Sequence, residues 1–246
     1  MPTPDLPKVE AAIVQLTNAF RKEQGLGAVH PNAVLRKAAE DFARYLARTN
    51  TFSHTADGRQ PGDRAKGGGY DYCLVAENLA SNLDSRGFES QQLARDAVEG
   101  WKNSPGHRKN MVEPNVTEIA VAVAKAPGEE KYLSVQLFGR PVSLRYEFTV
   151  KNASELPVAY TFDGRAFNVE GRRIITHTEC VPGKLAFVSA GTWLKKQPLS
   201  AMFPVKAGGT YLIEPGASSQ TVKIGELTAP AAKTAAPATG NPPAKK

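Results

Sequence analysis

The chain has 246 residues, 41% of them hydrophobic, with 31 Lys and Arg against 24 Asp and Glu and only two cysteines. That length allows one large or two modest domains. No apolar run approaches the roughly 18 residues that span a bilayer, and two cysteines exclude a disulfide scaffold. The net charge of +7 is uneven: residues 1–140 hold 18 Lys/Arg against 17 Asp/Glu, and residues 141–246 hold 13 against 7. The basic character belongs to the C-terminal part. It suits either solubility or contact with an anionic envelope surface; nucleic acid is not expected as a partner.

In chain order, Val9, Ile13, Leu16 and Phe20 fall at helical spacing and end before Gly25-Leu26-Gly27. A second helix is expected after Asn32, with Leu35, Ala38, Ala39, Phe42 and Leu46 on one face. From Thr51 to Tyr72 the period breaks at Asp57-Gly58, Pro61-Gly62 and Gly67-Gly68-Gly69, which predicts a long loop with turns. Loops of that length inside a domain are often functional. The glycine triplet is no phosphate loop, because no Lys-Ser/Thr follows it. Helical spacing returns at Leu93, Ala97, Val98 and Trp101. Pro105-Gly106 interrupts it before a short turn with His107 and Met111. After Pro114 the pattern alternates through Ile119, Val121 and Val123, then turns at Pro127-Gly128 toward Tyr132, Val135 and Phe138, which predicts a hairpin.

The pattern predicts a layered α/β domain over residues 5–140. Residues 145–227 read as several short strands between turn clusters at Asp163-Gly164, Pro182-Gly183 and Gly208-Gly209, a small β-sandwich. Residues 228–246 are Ala, Pro, Lys, Thr and Gly and are expected to be disordered. Cys73 and Cys180 read either as one bridge in an oxidising compartment or as two independent buried thiols. His30 and His177 read as surface residues and Trp101 as core.

Four residues offer chemistry: His54, Glu77, His107 and Glu118. Two imidazoles and two carboxylates could hold a divalent metal or move protons. Glu77 lies between Val75-Ala76 and Leu79-Ala80, so its carboxylate must find hydrogen bonds or a cation. Asn78 beside it suits a brace that both donates and accepts. Glu77 and Glu118 are the candidates for catalysis.

Phe52-Ser53-His54, Gly69-Tyr70-Asp71-Tyr72, Ala76-Glu77-Asn78-Leu79-Ala80, Trp101, Ser104-Pro105-Gly106-His107-Arg108, Asn115-Val116-Thr117-Glu118-Ile119 and Gln136-Leu137-Phe138-Gly139 stand in the order seen in the CAP superfamily. That superfamily comprises cysteine-rich secretory proteins, antigen 5 and plant pathogenesis-related 1 proteins. Residues 8–139 resemble its bacterial branch. The resemblance implies an α-β-α sandwich with a cleft, and a metal set, often zinc, of His54, Glu77, His107 and Glu118. The last two stand in exchanged positions relative to eukaryotic members. It also implies a secreted or periplasmic protein with its signal removed, and a lipid, peptide or cell-wall ligand in the cleft. A binding role is expected; the alternative is a zinc-assisted hydrolase using the same four residues. No Gly-x-Ser-x-Gly phrase supports serine chemistry.

Overall fold

Residues 1–188, 199–218 and 221–227 are described by the computed structural model, which divides into two units, residues 1–145 and 146–246. The first unit holds all five α-helices of the described residues and one four-stranded sheet. The expected tail, 228–246, lies outside the described residues.

Helix α1 (Leu6–Glu23) starts where Asp5 accepts from the Lys8 N–H, and it buries Val9, Ile13 and Phe20. Such a side-chain acceptor satisfies one of the free N–H groups of a first turn. Helix α2 (Ala33–Thr49) is capped in the same way by Asn32 and ends at Asn50 in a left-handed conformation. The long loop expected after it contains a helix, α3 (Pro61–Gly67), started by Pro61 and a reciprocal cap between Gln60 and Asp63. Helix α4 (Ser90–Lys102) buries Leu93, Ala97 and Trp101, and α5 (Pro105–Met111) follows the Pro-Gly break.

The sheet runs β1 (His30–Pro31), β3 (Glu118–Lys125), β4 (Lys131–Pro141) and β2 (Tyr72–Leu83). Strand β4 pairs antiparallel with both β3 and β2, and β1 joins β3 in parallel. Alternation separates two apolar layers. Ile119, Val121, Val123 and Phe138 pack with α1 and α4, whereas Leu79, Ala120, Ala122, Val135 and Leu137 pack with α2. The result is the expected α-β-α sandwich. Trp101 closes one layer, its indole N–H donating to the Leu79 carbonyl at 2.8 Å.

The second unit holds two four-stranded sheets. One is β10 (Leu199–Pro204), β9 (Lys184–Val188), β6 (Val158–Phe162) and β7 (Arg165–Val169). The other is β12 (Val222–Leu227), β11 (Thr210–Pro215), β5 (Tyr146–Asn152) and β8 (Ile174–Glu179). Phe148, Tyr160, Phe162, Phe187 and Tyr211 form their shared core. His177 is part of that core, a correction to its reading as a surface residue. Its ring stacks on Phe148 at 4.7 Å, meets Phe167 edge-on, and bonds the Tyr160 hydroxyl at 2.7 Å. Burial holds its pKa below the ordinary value. Of the two readings left open for the cysteines, independent buried thiols do not hold: neither Cys73 nor Cys180 is a free thiol, and neither is fully buried.

Candidate functional site

Glu77 and Asn78 are neighbours on β2, so they face opposite layers. Glu77 points to the α2/α3 side with a side chain only 1% exposed. Arg64, on α3, donates from one terminal nitrogen to both Glu77 oxygens, at 3.0 and 2.8 Å. The Nδ1 of His54 lies 2.8 Å from Glu77 Oε1. A carboxylate in this setting only accepts, so Nδ1 carries the hydrogen and Nε2 is left at the outer edge of the ring. The His54 side chain is 49% exposed. It lines a cleft of ≈ 580 Å³ together with Gln60, Tyr72, Glu77 and Asn110.

Arg64 is the residue that sequence reasoning missed. Its side chain is 2% exposed. Besides Glu77 it donates to Asp57 at 2.9 Å and to the carbonyls of Arg59 and His54 at 2.9 Å each. Its guanidinium carbon sits 3.5 Å from the centre of the Phe42 ring. One side chain thus ties together the loop that carries His54, the carboxylate that orients it, and α2 beneath. The available signal was faint: a Pro-started turn with Asp57 and Arg59 upstream.

Asn78 faces the other layer and is fully buried. It donates to the His107 carbonyl at 3.1 Å and to Gln136 at 2.9 Å, and accepts from Asn110 at 2.9 Å. Asn110 also donates to the Glu77 carbonyl at 3.0 Å. These amides fasten α5, which carries His107, to β2. Burial first, and the nearby His54 ring second, hold the His107 pKa below its ordinary value.

Glu118 lies two strands away from Glu77, on the same face of the sheet. Its oxygens are taken by Asn32, which donates at 3.0 Å, and by the Tyr70 hydroxyl. Burial and this carboxylate raise the Tyr70 pKa well above the ordinary phenol value. Tyr70 can reach Glu118 because position 139, opposite Glu118 on β4, is glycine; a Cβ there would collide with the phenol ring.

Whether these residues fit a metal follows from their donors. Tetrahedral zinc takes three or four protein ligands. Both Glu77 oxygens already accept from Arg64, and both Glu118 oxygens accept from other donors. Among the described residues, no group of three or more His, Cys, Asp or Glu is placed to hold an ion. One buried atom here without a partner is Arg64 Nε, a donor that cannot ligate a cation. Of the four residues, both carboxylates are thus engaged by other donors, which leaves the imidazoles of His54 and His107. The structure joins His54 to Glu77, places His107 within electrostatic reach of His54, and engages Glu118 elsewhere.

Comparison with known proteins agrees with this fold. The family model described as CAP, cysteine-rich secretory protein family, matches residues 14–138. Protein YkwD of Bacillus subtilis (strain 168) is 33% identical over 118 residues, covering 48% of this chain and 43% of that protein. The membrane protein YlbC of the same organism is 31% identical over 117 residues, covering 46% of this chain and 31% of that protein. The chain thus spans less than half the length of these two relatives. Among solved structures, an extracellular SCP-domain protein of Bacillus anthracis str. Ames is 26% identical, covering 55% of this chain and 41% of that chain, at TM-score 0.45. An outer surface protein of Borrelia burgdorferi is 25% identical, covering 52% and 90%, at TM-score 0.45.

Proposed function

Since the chain belongs to the CAP, or cysteine-rich secretory protein, family, we propose that it is a bacterial extracellular binding protein whose cleft at His54 engages a peptide or glycan of the cell envelope. The observation that carries this reading is the half-exposed His54 ring, held by a fully buried carboxylate at the wall of a polar cleft. Fixing a polar ring in advance removes part of the ordering cost of binding. Amide and phenol groups of Gln60, Asn110 and Tyr72 in the same wall suit hydrogen-bonding ligands better than a lipid chain. The extracellular site is supported by the extracellular and outer-surface relatives and by cysteines that are not free thiols. Among the described residues no helix is long and apolar enough to cross a membrane.

Metal-assisted hydrolysis draws less support from the same residues. It needs three protein ligands and an open position, and here Arg64 occupies the carboxylate. The basic C-terminal part supports a second contact with the anionic envelope.

Co-sedimentation of the full chain with purified peptidoglycan sacculi tests the reading, with neutral and anionic vesicles alongside. Wild type is expected to pellet with sacculi, and His54→Ala to bind at least about tenfold more weakly, the worth of one good hydrogen bond to a fixed ring. Equal binding by wild type and His54→Ala would overturn the assignment of the cleft. Loss of all binding by about 0.5 M salt would instead assign it to surface charge.

A further inference from the structure

We infer that the cleft works without a metal: Arg64 is its resident cation, and it acts as the positioning residue that locks His54, through Glu77, with Nε2 presented to a hydrogen-bond donor of the ligand. The inference rests on the reading of this cleft as the ligand site and goes further by naming how it is built.

Charge balance supports it first. Asp57, Glu77, Arg59 and Arg64 form one connected set in which Arg59 pairs with Asp57 at 2.8 Å, and Arg64 pairs with Asp57 at 2.9 Å and with Glu77 at 2.8 Å. Two carboxylates meet two guanidinium groups, so the set is neutral as it stands. A divalent ion on Glu77 would lie beside a buried guanidinium, with nothing left to compensate its charge.

Donor geometry supports it second. Arg64 uses its two terminal nitrogens on five acceptor atoms: both Glu77 oxygens, Asp57 Oδ1 and the carbonyls of Arg59 and His54. It therefore fixes the backbone of His54 and the carboxylate that bonds its ring. A planar fork can do this; an ammonium cannot reach the same set of acceptors. With Nδ1–H committed to Glu77, the neutral ring keeps one lone pair, at Nε2. That atom could ligate a metal as well as accept a hydrogen bond, but with both Glu77 oxygens taken by Arg64 and both Glu118 oxygens by Asn32 and Tyr70 the set falls short of three ligands. Nε2 recognises a ligand hydroxyl or amide N–H.

The full chain, stripped with a chelator, is dialysed against micromolar zinc and its metal content measured beside His54→Ala. In parallel, long-range proton–nitrogen correlation spectra of the histidine rings report the His54 tautomer. The inference predicts that wild type retains no more zinc than His54→Ala. It also predicts that His54 shows protonated Nδ1 and bare Nε2, unchanged by zinc or chelator. Arg64→Lys, which keeps the charge and loses the fork, is expected to show both tautomers in exchange. One equivalent of zinc retained by wild type and lost in His54→Ala would overturn the metal-free site, and a protonated Nε2 with bare Nδ1 would overturn the presentation of Nε2. An unchanged tautomer in folded Arg64→Lys would overturn the positioning role of Arg64. None of these readouts involves an envelope ligand, so failure of sacculus binding would overturn the functional reading alone.

Discussion

Replacing Arg64 with Met is the sharpest probe of how the cleft is held. The substitution removes the guanidinium from between Glu77 and Asp57 and frees the carbonyls of His54 and Arg59. It leaves a Glu77 side chain only 1% exposed with His54 as its sole side-chain partner among the described residues. Breaking one member of a buried ion pair costs about 3–5 kcal/mol, because the other charge stays buried. The lost contact over the Phe42 ring adds roughly 1 kcal/mol, and the Met chain restores part of the packing. The expected loss is about 4 kcal/mol, or roughly 10 °C in melting temperature for a unit of this size. Urea unfolding followed at 222 nm is the appropriate assay, since every α-helix of the described residues lies in residues 1–145. The double variant Arg64→Met/Glu77→Gln should recover part of the loss, because it removes the orphaned charge as well; that coupling is read from a double-mutant cycle. A loss below about 1 kcal/mol in Arg64→Met would refute the reasoning, since it would place the pair among exposed bridges of little worth.

Three further outcomes are expected. Asn78→Ala should cost about 3 kcal/mol in the same urea assay, because it removes three hydrogen bonds at a buried position, those with the His107 carbonyl, Gln136 and Asn110. Gly139→Ala should cost roughly 1–3 kcal/mol by pushing the Tyr70 ring off its seat, and should weaken the Tyr70–Glu118 bond, visible as a fall in the Tyr70 pKa by ultraviolet titration. The second unit should be acid-labile through His177: its folded pKa lies below the ordinary value of about 6.5, so the unfolded chain binds more protons below that pH. Its contribution is whole above pH 6.5 and is lost as pH falls from there through the folded pKa. Thermal melts by near-ultraviolet circular dichroism should show this slope in wild type and not in His177→Gln; equal slopes would rule the histidine out.

How much of this was legible in the sequence depended on how local each interaction is. The helical period marked α1, α2 and α4, because each buries one continuous stripe, and alternation marked β3 and β4. Strand β2 escaped notice because its centre is polar on both faces, with Glu77 turned to Arg64 and Asn78 to Gln136. Helix α3 escaped because Pro61-Gly62 reads as a turn, and its reciprocal cap uses Gln60 and Asp63 in place of the usual Ser or Thr. His54 and Glu77 were legible as a pair through their surrounding phrases, and the structure bonds them. Arg64 was not legible, since its acceptors lie up to 13 residues away and are fixed only by the packed sheet. The place of Glu118 depended on Tyr70, 48 residues away, and on a glycine opposite. His177 was misread because the aromatic cage that buries it is assembled from β5, β6 and β7.

Hydrogen-exchange mass spectrometry of the full chain, with and without solubilised peptidoglycan fragments, tests the central claim most directly. Protection is predicted in peptides covering residues 52–64, 72–78 and 105–111, which carry His54, Arg64, Glu77 and His107, and that protection should vanish in His54→Ala. Protection confined to residues beyond 146, or unchanged in His54→Ala, would contradict the account.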